Sequence, residues 1–185
     1  MNGKMIKEKT SKQNFWISFK QSKTQLQQTQ LVCTANTQHQ KCCGTRQNVR
    51  EHKGVTFILD CYNAAPDSMK ASLSVLAQTE AKGKRYCVLG DMLELGKNSA
   101  KYHKQVGEYV LSSKADEILC FGENSVHYIE GACDKGFAAE NARHFDSREE
   151  LAAYLKGKLN AGDAVLIKGS RGMKLEEVFN ILTAE

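Results

Sequence analysis

The sequence predicts a doubly wound α/β domain on a mostly parallel sheet of about five or six strands, with helices on both faces and a poorly structured tail in front. Three observations carry this reading. From Val55 onward, apolar runs of strand length alternate with apolar stripes at helical spacing. The runs are mostly unalternating, as strands covered on both faces should be. The stretch before about Lys41 shows neither pattern.

Taken in order, Met1 to about Lys41 is rich in Gln, Lys, Thr and Asn, with apolar clusters only at Phe15-Trp16-Ile17 with Phe19 and at Leu31-Val32. That cannot offset chain entropy, so residues 1–43 are expected to hold little stable structure. The strands are expected at Val55 to Leu59, Tyr86 to Leu89, Glu117 to Phe121 and Ala164 to Ile167, with a weaker one at Ala142 to Phe145. Between them, Met69, Leu73, Leu76 and Ala77 mark one helical face, and Tyr102, Val106, Tyr109 and Val110 a second. Leu151, Tyr154, Leu155 and Leu159 mark a third, and Leu175, Val178, Phe179 and Leu182 a fourth. A further helix is expected within Glu123 to Cys133. Ser147 and Glu150 have capping-box spacing, which would satisfy two backbone N–H groups reciprocally. Strands alternating with helices imply right-handed crossovers and a Rossmann-like domain over residues 44–185.

Length and composition narrow the classes. The 185 residues hold one ordinary domain and a tail. No apolar stretch reaches bilayer length, and the basic Met1 to Thr10 segment is not followed by the apolar core of a secretory signal, so a cytoplasmic protein is expected. The formal charge of +5 splits unevenly: residues 1–50 hold nine Lys or Arg and one acid, whereas the rest is mildly acidic. A nucleic-acid-binding domain is therefore not expected, nor is contact with a membrane. The seven cysteines have no regular spacing, which points to reduced thiols. Cys33, His39, Cys42 and Cys43 match no zinc-knuckle spacing, and no metal site is expected.

In sheets of this kind ligands bind beyond the carboxyl ends of the strands. Three loops there are unusual: Asp60-Cys61-Tyr62-Asn63-Ala64-Ala65-Pro66-Asp67-Ser68, Gly90 to Gly96, and Lys168-Gly169-Ser170-Arg171-Gly172-Met173. In the first, Asp60 ends a strand, where a carboxylate can accept from a ribose or place a cation, while Asp67 or Ser68 suits the cap of the next helix. The last places Lys168, a hydroxyl and Arg171 before a helix, either as an anion site with the helix dipole behind it or as a solvated cap. Gly90 to Lys97 is a decoy, since its spacing and the following Asn98 do not make a P-loop. Neither a dinucleotide-binding glycine fingerprint nor a nucleophile elbow occurs. His103 and His127 stand alone and read as structural.

Taken together, D-x-Y-N-A-x-P-x-S, then V-L-G-D-M-L-E-L-G with downstream Ser99 and His103, then G-D-x-V-L-I-K-G-S-R-G-M-x-x-E, resemble the carboxyl-terminal domain of the Mur ligases. The match is to the branch that adds D-alanyl-D-alanine, and runs from about Gly44 to Glu185. The resemblance implies a peptidoglycan-precursor ligase that uses ATP and Mg2+: a substrate carboxylate is phosphorylated, the dipeptide amine attacks, and phosphate leaves. It implies D-alanyl-D-alanine and UDP-N-acetylmuramoyl-tripeptide as partners and a monomer as the working form. It also implies that Arg46, Asp60, Tyr62 and Asn63 line the nucleotide, and that Lys168, Ser170 and Arg171 face the dipeptide. No catalytic residue and no metal ligand are assigned in this chain, and without a P-loop the chain alone is expected to be inactive.

Two departures stand out. Ala65 replaces the second Asn of the family's usual N-A-N-P, and the segment before Gly44 is unlike the family's central domain. The Gln-rich composition there fits out-of-frame or non-native sequence. Competing classes are a freestanding nucleotide- or carboxylate-binding module and, for the tail, a basic nucleic-acid arm.

Overall fold

The computed structural model describes residues 48–184. The tail 1–43, with its Cys33, His39, Cys42 and Cys43, and the junction residue Arg46 lie outside the described residues.

Among the described residues six strands form one sheet: β1 (Asn48–His52), β2 (Val55–Asp60), β3 (Arg85–Gly90), β4 (Glu117–Phe121), β5 (Ala142–Phe145) and β6 (Ala164–Lys168). Their order across the sheet is β1-β2-β6-β3-β4-β5. β1 runs antiparallel to β2, and every other neighbouring pair is parallel. The helices are α1 (Pro66–Gln78), α2 (Ser99–Tyr109), α3 (Val126–Asp134), α4 (Arg148–Lys156) and α5 (Glu176–Thr183).

The side-chain period of two sorts the apolar runs onto two faces. Ile58, Cys87, Leu89, Ile118 and Leu166 point to one face and pack on α1, α2 and α3 through Met69, Leu73, Val106 and Tyr128. Phe57, Val88, Leu119, Val165 and Ile167 point to the other and pack on α4 and α5 through Leu151, Leu155 and Val178. A run that alternates between two buried faces has no polar positions, which is why these strands read as continuous apolar stretches.

Strand β1 was not expected, since its residues are almost wholly exposed and carry no apolar run. Its signal is the turn. His52 pairs with Val55 across Lys53-Gly54, and both turn residues have positive φ, 49° and 76°. That is the two-residue hairpin geometry whose twist suits flanking strands.

Several local expectations are corrected. Tyr109, placed on the buried stripe of α2, is exposed, and its ring lies beneath Lys70 Nζ at 5.2 Å. The seam between α2 and α3 is made by glycines instead: a Cβ on Gly107 would sit 2.1 Å from the Tyr128 carbonyl oxygen, and one on Gly131 2.0 Å from that of Lys104. Half of the capping box forms, with Ser147 Oγ accepting from the Glu150 N–H at 3.1 Å. At the start of α1, Ser68 does the capping, its Oγ accepting from the Ala65 N–H at 3.0 Å, while Asp67 is exposed in the first turn, where it complements the helix dipole.

Candidate functional site

Strand β6 sets the site. It lies between β2 and β3, yet the helix after it packs on one face while the helices after β2 and β3 pack on the other. Loops leaving adjacent strand ends in opposite directions open a crevice, the usual ligand position in such sheets.

Parallel register places Asp60 beside Lys168. Both are buried, and Lys168 Nζ lies 2.7 Å from Asp60 Oδ2. Ser72 of α1 donates its hydroxyl to the same oxygen at 2.7 Å, and Lys168 Nζ donates a further bond to the Asn63 carbonyl at 2.9 Å. Lys168 therefore does not face outward as an anion ligand. Its charge is matched by Asp60, and it holds the first turn of the loop 61–65. Asp60 is likewise committed to internal donors, so the open ribose acceptor expected there is instead a buried half of an ion pair. Asn63 contributes its backbone carbonyl to this cluster and leaves an exposed residue at the rim.

Above the pair, Tyr62 and Arg171 meet across the crevice. The Arg171 guanidinium carbon lies 5.3 Å from the Tyr62 ring centroid, and Tyr62 is 47% exposed. A guanidinium held over an aromatic face by cation–π attraction remains able to pair with a carboxylate or phosphate through its own N–H donors. No long helix starts directly behind Arg171 to lend its dipole to an anion. Arg171–Met173 is a short 3-10 turn, α5 begins only at Glu176, and its first turn carries Glu176 and Glu177.

Ser170 is also turned to a structural task. Its N–H donates to the Asp91 carbonyl at 3.1 Å, and its Oγ accepts from the Leu93 N–H at 2.9 Å. An accepting hydroxyl still carries a proton to donate. Cys61 sits beneath the same loops, its Sγ 3.5 Å from the Ile167 carbonyl, and burial, with Glu176 and Asp60 nearby, pushes its thiol up to about 12.

Sequence reasoning did not single out Asp91, whereas His103, read as structural, is held inside the fold. Asp91 is buried, and its Oδ2 accepts from the Asn124 N–H at 3.1 Å and from Asn124 Nδ2 at 3.3 Å. Its Oδ1 is buried with no hydrogen-bond partner among the described residues. His103 is fully buried; its Nε2 accepts from the Met92 N–H at 2.9 Å, and its Nδ1 lies 2.8 Å from the Ser99 carbonyl. An acid directly after a strand-ending glycine, and the i, i+4 spacing of Ser99 and His103, were the signals available.

The geometry fits an aromatic ring or an anion at Tyr62 and Arg171. Among the described residues no three His, Cys, Asp or Glu side chains converge as metal ligands.

The mostly parallel sheet with helices on both faces and a crevice at its strand ends makes this a doubly wound α/β domain. A family model described as Mur ligase, glutamate ligase domain, matches residues 45–171, and the chain belongs to that family. It is 38% identical over 130 residues to the UDP-N-acetylmuramoyl-tripeptide--D-alanyl-D-alanine ligase of Bacillus subtilis, covering 70% of this chain and 28% of that protein. The Treponema pallidum protein of the same name is 39% identical over 134 residues, covering 71% and 28%. Among solved structures, a MurF ligase from Thermotoga maritima in complex with ADP superposes with a TM-score of 0.63 at 28% identity, covering 82% of this chain and 32% of that one. MurF from Acinetobacter baumannii superposes with a TM-score of 0.66 at 28% identity, covering 74% and 30%. The chain thus spans just over a quarter of the length of the curated relatives it matches.

Proposed function

We propose that residues 44–185 form the carboxyl-terminal domain of an ATP-dependent ligase that adds D-alanyl-D-alanine to UDP-N-acetylmuramoyl-tripeptide, acting in the cytoplasm as a monomer. The observation that carries this is the exposed Arg171–Tyr62 pair at the strand-end crevice of a Mur-family domain. Arg171 binds the dipeptide carboxylate through paired, charge-assisted N–H bonds, and Tyr62 supplies the flat wall beside it. Lys168 and Asp60 hold the loop that carries Tyr62, while Ser170 fixes the loop that carries Arg171. In this reading Arg46 reaches the nucleotide phosphates, and Asn63 lines the ligand edge. ATP activates the acceptor carboxylate, and Mg2+ takes its ligands from outside residues 48–184. Among the described residues no helix is long and apolar enough to cross a membrane.

The test is binding followed by chemistry. Titration of the chain with D-alanyl-D-alanine, monitored by NMR, should shift Tyr62 and Arg171 signals. Arg171→Ala should weaken binding by about 2–3 kcal/mol, the worth of a charge-assisted contact. Arg171→Lys should restore only part of it, since an ammonium lacks the planar fork. The chain by itself should not ligate, because its sequence has no P-loop to position the β- and γ-phosphates. Dipeptide binding that ignores both Arg171 variants would reject the assignment.

A further inference from the structure

We propose that His103 is a positioning residue for the Arg171–Tyr62 pair: its neutral imidazole locks the loop after β3 against the loop after β6, and protonation transfers its bond to Asp91 and opens that lock. This rests on the functional reading above, in which Arg171 and Tyr62 touch ligand.

The path is continuous. A carbonyl oxygen only accepts, so the 2.8 Å contact with Ser99 O puts the proton on His103 Nδ1. Nε2 is then the acceptor for the Met92 N–H at 2.9 Å. The next residue, Leu93, donates its N–H to Ser170 Oγ, and the preceding one, Asp91, accepts from the Ser170 N–H through its carbonyl. Three consecutive residues of one loop are thus pinned, two of them to the residue directly before Arg171.

Asp91 supplies the alternative. Its buried Oδ1, without a hydrogen-bond partner among the described residues, lies 3.9 Å from His103 Nε2. When Nε2 takes a proton from solvent it loses the lone pair that receives the Met92 N–H. Two N–H groups then oppose each other, and the nearby acceptor with spare capacity is Oδ1. A charge-assisted N–H to carboxylate bond forms, and the Met92 N–H is released.

The surrounding groups leave the switch to His103. Burial outweighs the pull of the Ser99 bond and of Asp91, and holds the imidazole below its usual 6.5, with His127 of α3 acting in the same direction. Tyr128 of α3 lies tilted against it, the ring centroids 4.7 Å apart, and donates to the Gly90 carbonyl; burial pushes its phenol well above the usual range. Cys120 of β4 is pushed up in the same way. Both stay protonated throughout the acid range.

The experiment is an NMR titration of the whole 185-residue chain from pH 8 to 4.5. It follows the His103 imidazole and the amides of Met92, Leu93, Ser170 and Arg171, in the native chain and in His103→Gln, whose Oε1 can accept the Met92 N–H without ionising. The four amides should move on one curve with the imidazole, at a midpoint below 6.5, with Met92 amide exchange rising about tenfold beyond its intrinsic pH dependence as one net hydrogen bond is lost. In His103→Gln they should stay flat. D-alanyl-D-alanine, whose amine stays largely protonated and whose carboxylate stays ionised between pH 5 and 7, should bind less tightly at pH 5 than at pH 7 in the native chain only. Amides that move apart from His103, a midpoint at or above 6.5, or equal dipeptide binding at both pH values would overturn the proposal. If His103→Gln fails to fold, the coincidence of the native curves decides. Absence of any dipeptide effect on Tyr62 or Arg171 at pH 8 would sink the functional reading instead, with the amide titration still testing the lock.

Discussion

Replacing Lys168 with Met tests whether the centre of the site is a buried ion pair or a ligand group. The ammonium and its partner carboxylate expose only 1% and 7% of their side chains, so their interaction is not an exposed surface bridge. Removing the cation leaves Asp60 buried with the Ser72 hydroxyl at 2.7 Å and deprives the Asn63 carbonyl of its donor. Stripping one partner from a buried pair costs about 3–5 kcal/mol. For a domain of this size that lowers Tm by roughly 10–15 °C. The double variant Asp60→Leu with Lys168→Met removes both charges, and should be more stable than Lys168→Met alone by about 2 kcal/mol or more, since an apolar pair carries no desolvation penalty. Urea unfolding at pH 7, followed by far-ultraviolet circular dichroism, measures all three proteins, and added salt should change the differences little because the pair is shielded from ions. A loss under about 1 kcal/mol for Lys168→Met, or a double variant that is worse than the single, would refute the reasoning.

Three other outcomes are expected. Gly131→Ala should destabilise by about 2–3 kcal/mol or more, as overpacking against backbone forces α2 and α3 apart, given the 2.0 Å separation from the Lys104 carbonyl; unchanged urea midpoints would show that the helices yield freely. Cys87 and Cys120 should resist alkylation at pH 8 in the folded chain while Cys133, partly exposed, reacts well ahead of those two, because burial pushes the Cys87 thiol up to about 12 and that of Cys120 well above its usual value; peptide mapping by mass spectrometry reads this. For His103 the folded-state value lies below 6.5, so the unfolded chain binds the extra proton first. Stability should therefore fall as pH drops below 6.5 and level off beneath the folded-state value, and His103→Gln should lose that part of the slope in urea midpoints recorded from pH 7.5 to 4.5.

Legibility differed from residue to residue for physical reasons. Ile58, Cys87, Ile118 and Leu166 announced the sheet because strands covered on two faces tolerate no polar interruption, and Met69, Leu73 and Leu76 announced α1 by helical spacing. Strand β1 had no such signature, since an exposed edge strand is held by backbone pairing and a turn. Gly107 and Gly131 were silent because an absent side chain leaves no periodic mark, although their absence is what lets two helices touch.

At the site, the amino-acid sequence marked the loops that meet at the strand-end crevice, since strand-end position and unusual residue types are local properties. Asp60, Tyr62, Asn63, Lys168, Ser170 and Arg171 were all marked in this way. Their division of labour was decided only by tertiary structure. Lys168 and Asp60 are separated along the chain and become neighbours through parallel register, and burial then turns two apparent ligand groups into one another's partner. Ser170 is drawn inward by the loop after β3, and Arg171 is left to meet Tyr62 outside. A charged side chain in a sequence is a candidate for contact with ligand or with its own fold, and the distinction lies in whether water or a counter-charge surrounds it, a quantity that exists only once distant strands are side by side.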